Sequence, residues 1–186
     1  MIQTLKKTPT LEDFLQLPET KPASEFIHQR VIQKQMPQGE HSTLQSELVS
    51  AINAAGKPSQ IAYAFPELRC VFGGAALIPD ICVFRWSRIP RTSSGRVANK
   101  FESYPDWAIE ILSPEQAQTR LLEKLLHCIE QGTEIGWLVD PTSDSVLTLS
   151  SESRLKLYRD KEEIPVLSDL SLSLSAADIF DWLSIV

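Results

Sequence analysis

Cysteine is scarce in this chain of 186 residues: there are three, Cys70, Cys82 and Cys128, far apart and each inside an apolar strand or helix pattern. That spacing excludes a disulfide framework and a zinc motif, and leaves reduced core thiols. Long apolar runs are also missing, since no stretch approaches the roughly 20 residues of a membrane span. Lys6 and Lys7 are not followed by an apolar segment, so no secretory signal is read there and the cytoplasm is the expected compartment. Internal repeats and low-complexity tracts are absent as well. What is present, 42% hydrophobic and 23% charged residues, suits a single domain over 1–186, with 1–22 as an N-terminal extension. A chain of this length buries on the order of 70% of its unfolded surface in one core.

Positive charge is in deficit too. A net charge of −6 gives no global attraction to a polyanion, so any such contact has to come from a local basic segment. One exists between Asp80 and Glu102, where no acidic residue occurs and Arg85, Arg88, Arg91, Arg96 and Lys100 all fall. A loop of this kind can hold a phosphate backbone beside carboxylate-bearing strands, or it can simply be solvated.

Leu11, Phe14 and Leu15 predict a short docked helical turn, and Phe26 to Ile32 a hairpin turning at His28-Gln29 without the usual glycine. Leu44, Leu48, Ala51, Ile52 and Ala55 recur at helical spacing over 40–55, ended by Gly56-Lys57-Pro58. His41 and Glu47 both project within roughly 60° of the centre of that stripe, near the core. A histidine there is more often a core or cap residue than a ligand, whereas a buried glutamate needs a partner. Strands are expected over 61–65, 69–72 and 76–86, the last carrying Pro79 and Asp80 among apolar neighbours. The run Asp106-Trp107-Ala108-Ile109-Glu110-Ile111-Leu112 alternates with period two and turns Glu110 toward buried residues.

Ser113, Pro114 and Gln116 then read as the N-cap, first and third positions of a helix running to about Gln131, with Ala117, Leu121, Leu125 and Cys128 as its stripe. Lys124 projects at the rim of that stripe and can reach over the sheet. Trp137 to Asp140 follows as a strand, completing a parallel crossover. A hairpin over 146–158 and a terminal helix over 176–183 close the chain. Two carboxylates on apolar strands, Asp80 and Glu110, are what a Mg²⁺ site needs, because that ion is held by one or two carboxylates plus waters and phosphate. A lysine beside them can orient a water and stabilise phosphoryl oxygens. A core ion pair, with Lys124 or an arginine as the cation, would leave the same pattern in the sequence.

The Glu25-containing first strand, Pro37 to His41, Pro79-Asp80, Pro105-Asp106 with Glu110 to Pro114, Glu123-Lys124, and Trp137 to Pro141 together resemble the Uma-type nuclease family. That family is a branch of the PD-(D/E)XK, restriction-endonuclease-like superfamily. The resemblance spans most of the chain and implies an α/β (α+β) fold, a central mixed β-sheet flanked by helices with an additional N-terminal β-hairpin. It also implies Mg²⁺ or Mn²⁺ held by Asp80 and Glu110, with the Ile111 backbone carbonyl assisting. Glu47 resembles a first-helix glutamate that some superfamily members add to the metal shell. The superfamily lysine lies two residues after the acidic position, which here is Leu112, and in the Uma-type branch it has moved to the next helix, making Lys124 the candidate.

Two functions follow. The first is a divalent-metal-dependent endonuclease acting on DNA, with the 85–100 loop as phosphate contact. The second is a non-catalytic module that keeps the fold and binds nucleic acid or a protein partner, as a homodimer. Members of the family are named mostly by fold, so the activity comes from the superfamily as a whole.

Overall fold

Apolar residues at strand and helix periods fold as the sequence indicates. The computed structural model describes residues 8–114, 116–152 and 154–184. In chain order the elements are α1 (Leu11–Leu15), β1 (Ser24–Ile27), β2 (Arg30–Gln33), α2 (Gly39–Gly56), β3 (Ala62–Pro66), β4 (Cys70–Phe72), β5 (Ala75–Leu77) and β6 (Ile81–Arg85). After them come β7 (Trp107–Ile111), α3 (Gln118–Glu130), β8 (Ile135–Asp140), β9 (Ser145–Ser150), β10 (Leu155–Arg159) and α4 (Ala176–Asp181).

Two sheets form. The smaller has the order β2-β1-β5-β4, and the larger β10-β9-β8-β7-β6-β3. Only β7 and β8 run parallel in the larger sheet, joined through α3, so the sheet is mixed. The hairpin of β1 and β2 turns on His28 and Gln29, whose φ angles of 49° and 58° supply the left-handed pair that a two-residue turn demands even without glycine.

One face of the larger sheet, with Trp107, Ile109, Ile111 and Trp137, packs against Leu44, Leu48 and Ile52 of α2 and against Ile179 of α4. The other, with Cys82, Phe84, Ala108 and Leu138, packs on Leu121, Leu125 and Cys128 of α3 and on Ile27 and Leu77 of the smaller sheet. Fully buried leucines and isoleucines of this kind each contribute roughly 1.5–3 kcal/mol. All three cysteines are free and buried in the second core, as their apolar settings require.

Three details differ from the sequence reading. The strand expected over 76–86 divides at Ile78-Pro79-Asp80 into β5 and β6, which belong to different sheets. Helix α3 starts at Gln118, not Ser113. Gln116 does return its side chain to the Ser113 N–H at 3.2 Å, but Ala117 is exposed and the described residues 114 and 116–119 offer no buried apolar anchor to hold a helical turn on the sheet. In α1, Phe14 docks on Phe26 whereas Leu15 is exposed.

Backbones meet closely where α2 ends. A Cβ on Gly56 would lie 2.5 Å from the Ala62 carbonyl oxygen of β3, a contact with no flexible partner to yield. Gly56→Ala is expected to cost about 1–3 kcal/mol. A urea midpoint equal to that of the wild type would show that the helix end can shift instead.

Candidate active site

Pro79 cannot donate to a ladder, and it sits where the chain leaves one sheet for the other. The neighbouring Ile78 N–H is taken up by Glu25 Oε1 at 2.6 Å, so β1 fixes the crossing from below. Asp80 enters the larger sheet one residue before β6. Extending the register Ile81↔Ile109 by one step sets Asp80 opposite Glu110, on a shared face. Both are buried, at 3% and 1% exposure.

A polar network surrounds the pair. Asp80 Oδ1 accepts from Lys34 Nζ at 2.7 Å, and Oδ2 accepts from the Ile111 N–H at 2.8 Å and lies 3.1 Å from His41 Nε2. The Asp80 carbonyl accepts from Gln45 at 2.7 Å. Lys124, also buried, stands 2.6 Å from Glu110 Oε1 and 2.8 Å from Glu25 Oε1. Lys124 meets Glu110 Oε1 off the favoured hydrogen-bond angle, so charge attraction dominates that short contact. All these side chains except Gln45 line a cavity of about 180 Å³, whose walls also include Ser113, Gln116, Arg120 and Glu123.

Burial acts on Glu110, Asp80, Lys124 and Lys34. It pushes the Glu110 carboxyl up to about 8, against the pull of Lys124 and with the help of Asp80 and Glu25. For Asp80 burial is overcome by Lys34 and His41, which hold its carboxyl well below the usual range. Burial also opposes the Lys124 and Lys34 ammonium groups. The carboxylates of Glu110 and Glu25 outweigh it for Lys124 and that of Asp80 for Lys34, so both lysines stay charged.

Asp80, Glu110 and Lys124 are thus brought together. Ile111 contributes its N–H to Asp80. Glu47 is not part of this centre: it is exposed, and α2 turns His41, Leu44, Leu48 and Ile52 inward instead. Counting the small Ala51 and Ala55 in the stripe pulls its centre toward Glu47. The large side chains set the burial, and they leave Glu47 about 100° away.

The basic loop is displaced too. Because β6 and β7 are antiparallel, their connection lies at the end opposite Asp80 and Glu110, about 15 Å along the strands. Arg85 there pairs with Glu134 at 2.8 Å and Asp169 at 2.7 Å, and Arg88 with Asp106 at 2.6 Å. These two are structural ion pairs, while Arg91, Arg96 and Lys100 are exposed. None of the five lines the cavity.

Glu25, Lys34 and Gln45 belong to the centre without having been singled out as site residues. A glutamate within the apolar strand Ser24–Ile27 is the one available signal, since Lys34 lies in a polar run that reads as solvated.

The donor set fits a hard divalent cation in its chemistry: Glu25, Asp80 and Glu110 offer carboxylate oxygens, and one buried Glu110 oxygen is left without an aligned donor. Among the described residues, no group of three or more His, Cys, Asp and Glu side chains is already arranged as a cation site. Both Asp80 oxygens have donors of their own.

Three comparisons bear on this centre. The family model Uma2, described as "Putative restriction endonuclease", matches residues 11–177. A crystal structure of a putative nuclease belonging to DUF820 from Anabaena variabilis ATCC 29413 is 50% identical in sequence, with a TM-score of 0.92, covering 95% of this chain and 99% of its own. No curated protein matches.

Proposed function

Because the chain belongs to the Uma2 family of restriction-endonuclease-like proteins, we propose that it is a nuclease, and more specifically a divalent-metal-dependent phosphodiesterase acting on DNA. The observation that carries this reading is the cross-strand pair Asp80 and Glu110, buried in one cavity with Lys124 2.6 Å from Glu110. Asp80 and Glu110 would hold Mg²⁺ or Mn²⁺, with the Ile111 carbonyl assisting. When bound, such an ion polarises a phosphoryl oxygen and lowers the pKa of a coordinated water.

The protein's own groups do the remaining work. Lys124, kept charged by Glu110 and Glu25, orients the attacking water and stabilises negative charge on the phosphoryl oxygens. His41 fixes the Asp80 carboxylate through Oδ2. Arg120, exposed on the cavity wall one turn before Lys124, faces the entering phosphodiester. Arg91, Arg96 and Lys100 are too distant for the scissile bond and would touch flanking backbone.

Purified protein with Mn²⁺ or Mg²⁺ is therefore expected to nick supercoiled plasmid, and Lys124→Met to slow nicking by about 100-fold or more while circular dichroism stays native. Equal cleavage by the variant would remove Lys124 from the mechanism. Arg120→Ala should lower the salt dependence of DNA binding by about one counterion, measured with catalysis blocked in Ca²⁺. DNA binding without cleavage at any metal concentration would favour the non-catalytic module.

A further inference from the structure

Lys34 follows β2 within the polar run Gln33-Lys34-Gln35, and its backbone N–H is held by the Ala23 carbonyl at 2.9 Å. Its side chain folds inward to 12% exposure. Three oxygens receive the ammonium: Asp80 Oδ1 at 2.7 Å, the Ile78 carbonyl at 2.9 Å and Glu67 Oε1 at 3.2 Å. An ammonium has three donors, so this cage satisfies it completely. Two carboxylates and a carbonyl are also the ligand types that a hard divalent ion selects.

We propose that Lys34 is a resident counter-cation of this centre, occupying Asp80 in the metal-free protein and exchanging with the divalent ion when it binds. The inference rests on the metal-dependent reading given above and adds a residue that competes with the metal. Charge balance supports the exchange. With Glu110 ionised, as metal ligation requires, the buried part of the site holds three carboxylates, Glu25, Asp80 and Glu110, against the two ammonium groups of Lys34 and Lys124, while the fourth, Glu67, is 45% exposed and screened by solvent. A divalent ion added with Lys34 in place leaves an excess of positive charge inside a buried site, whereas one that displaces Lys34 leaves the site near neutral. The route out is short. Lys34 lines the cavity beside Gln33 and Gln35, so its four-carbon stem can carry the head into that open space without moving the backbone.

Isothermal titration of Mn²⁺ into wild type, Lys34→Met and Asp80→Asn tests the exchange, together with amine labelling of wild-type Lys34 followed by mass spectrometry. The expected result is that Lys34→Met binds Mn²⁺ at least tenfold more tightly than wild type. Lys34 in the wild type is also expected to be labelled several-fold faster with Mg²⁺ than in EDTA. Equal or weaker Mn²⁺ binding by Lys34→Met, with binding still lost in Asp80→Asn, would overturn the exchange while leaving the metal site standing. If Lys34→Met fails to fold, unchanged labelling of the wild type on adding Mg²⁺ overturns the exchange by itself. No Mn²⁺ binding by the wild type would overturn both the exchange and the metal-dependent reading.

Discussion

Asp80→Asn is expected to destabilise the metal-free protein by about 3 kcal/mol, because it removes a buried carboxylate that pairs with the Lys34 ammonium and contacts His41. Relief of repulsion between two empty ligands would instead make the change neutral or favourable by on the order of 1 kcal/mol. The geometry decides between these. Lys34 at 2.7 Å and His41 at 3.1 Å contact Asp80 directly, and the partner cation is Lys34, not Lys124 or an arginine. The estimate sits at the low end of the range for broken buried pairs since Lys34 retains the Ile78 carbonyl and Glu67. Urea melts in EDTA measure it. A loss below about 1 kcal/mol would mean that the pair contributes little. The same melts in millimolar Mn²⁺ should stabilise wild type and leave Asp80→Asn unmoved.

Glu110→Gln should behave in the opposite sense, and through pH. The Glu110 carboxyl titrates near 4.5 in the unfolded chain and about 8 in the folded one, where it is fully buried. A folded state that holds its proton more tightly gains stability at low pH and loses it as pH rises between those two values. The size of that loss is on the order of 5 kcal/mol if the whole interval is expressed. Glutamine has no proton to release, so in EDTA the variant should match wild type near pH 5 and exceed it by several kcal/mol near pH 8. A constant difference across that window would mean that Lys124 keeps Glu110 ionised throughout. Millimolar Mn²⁺ should abolish the decline in wild type, since the cation favours the ionised carboxylate.

The parallel crossover, the hairpin and the inward face of Glu110 were legible because each depends on local periodicity, whereas the mixed sheet as a whole came from the family resemblance. Trp107, Ile109 and Ile111 fall on one core and Ala108 with Glu110 on the other, as period two requires. Lys124 was legible at the rim of the α3 stripe. Lys34 was not, because a lysine between two glutamines carries no mark of burial until the hairpin folds onto the 78–80 crossing. The start of α3 was misread from a capping pattern that lacks an apolar anchor. The basic loop was misplaced for a topological reason: two antiparallel strands that bring Asp80 and Glu110 together at one end must be connected at the other.

The interlocked charges also limit the routes by which descendants of this chain can drift. Lys34 answers Asp80, and Lys124 answers Glu25 as well as Glu110, so losing Lys34, Asp80 or Lys124 alone leaves an unmatched charge in a buried place, whereas Glu110, whose proton burial retains, can become glutamine without one. Joint replacement by apolar residues is far less damaging than the separate losses added together. A lineage released from the chemistry could therefore shed Lys34 and Asp80, or Lys124 and Glu25, only as matched sets. The single-step intermediates lie in a stability valley, which retains the ionic centre even where selection for its activity has lapsed.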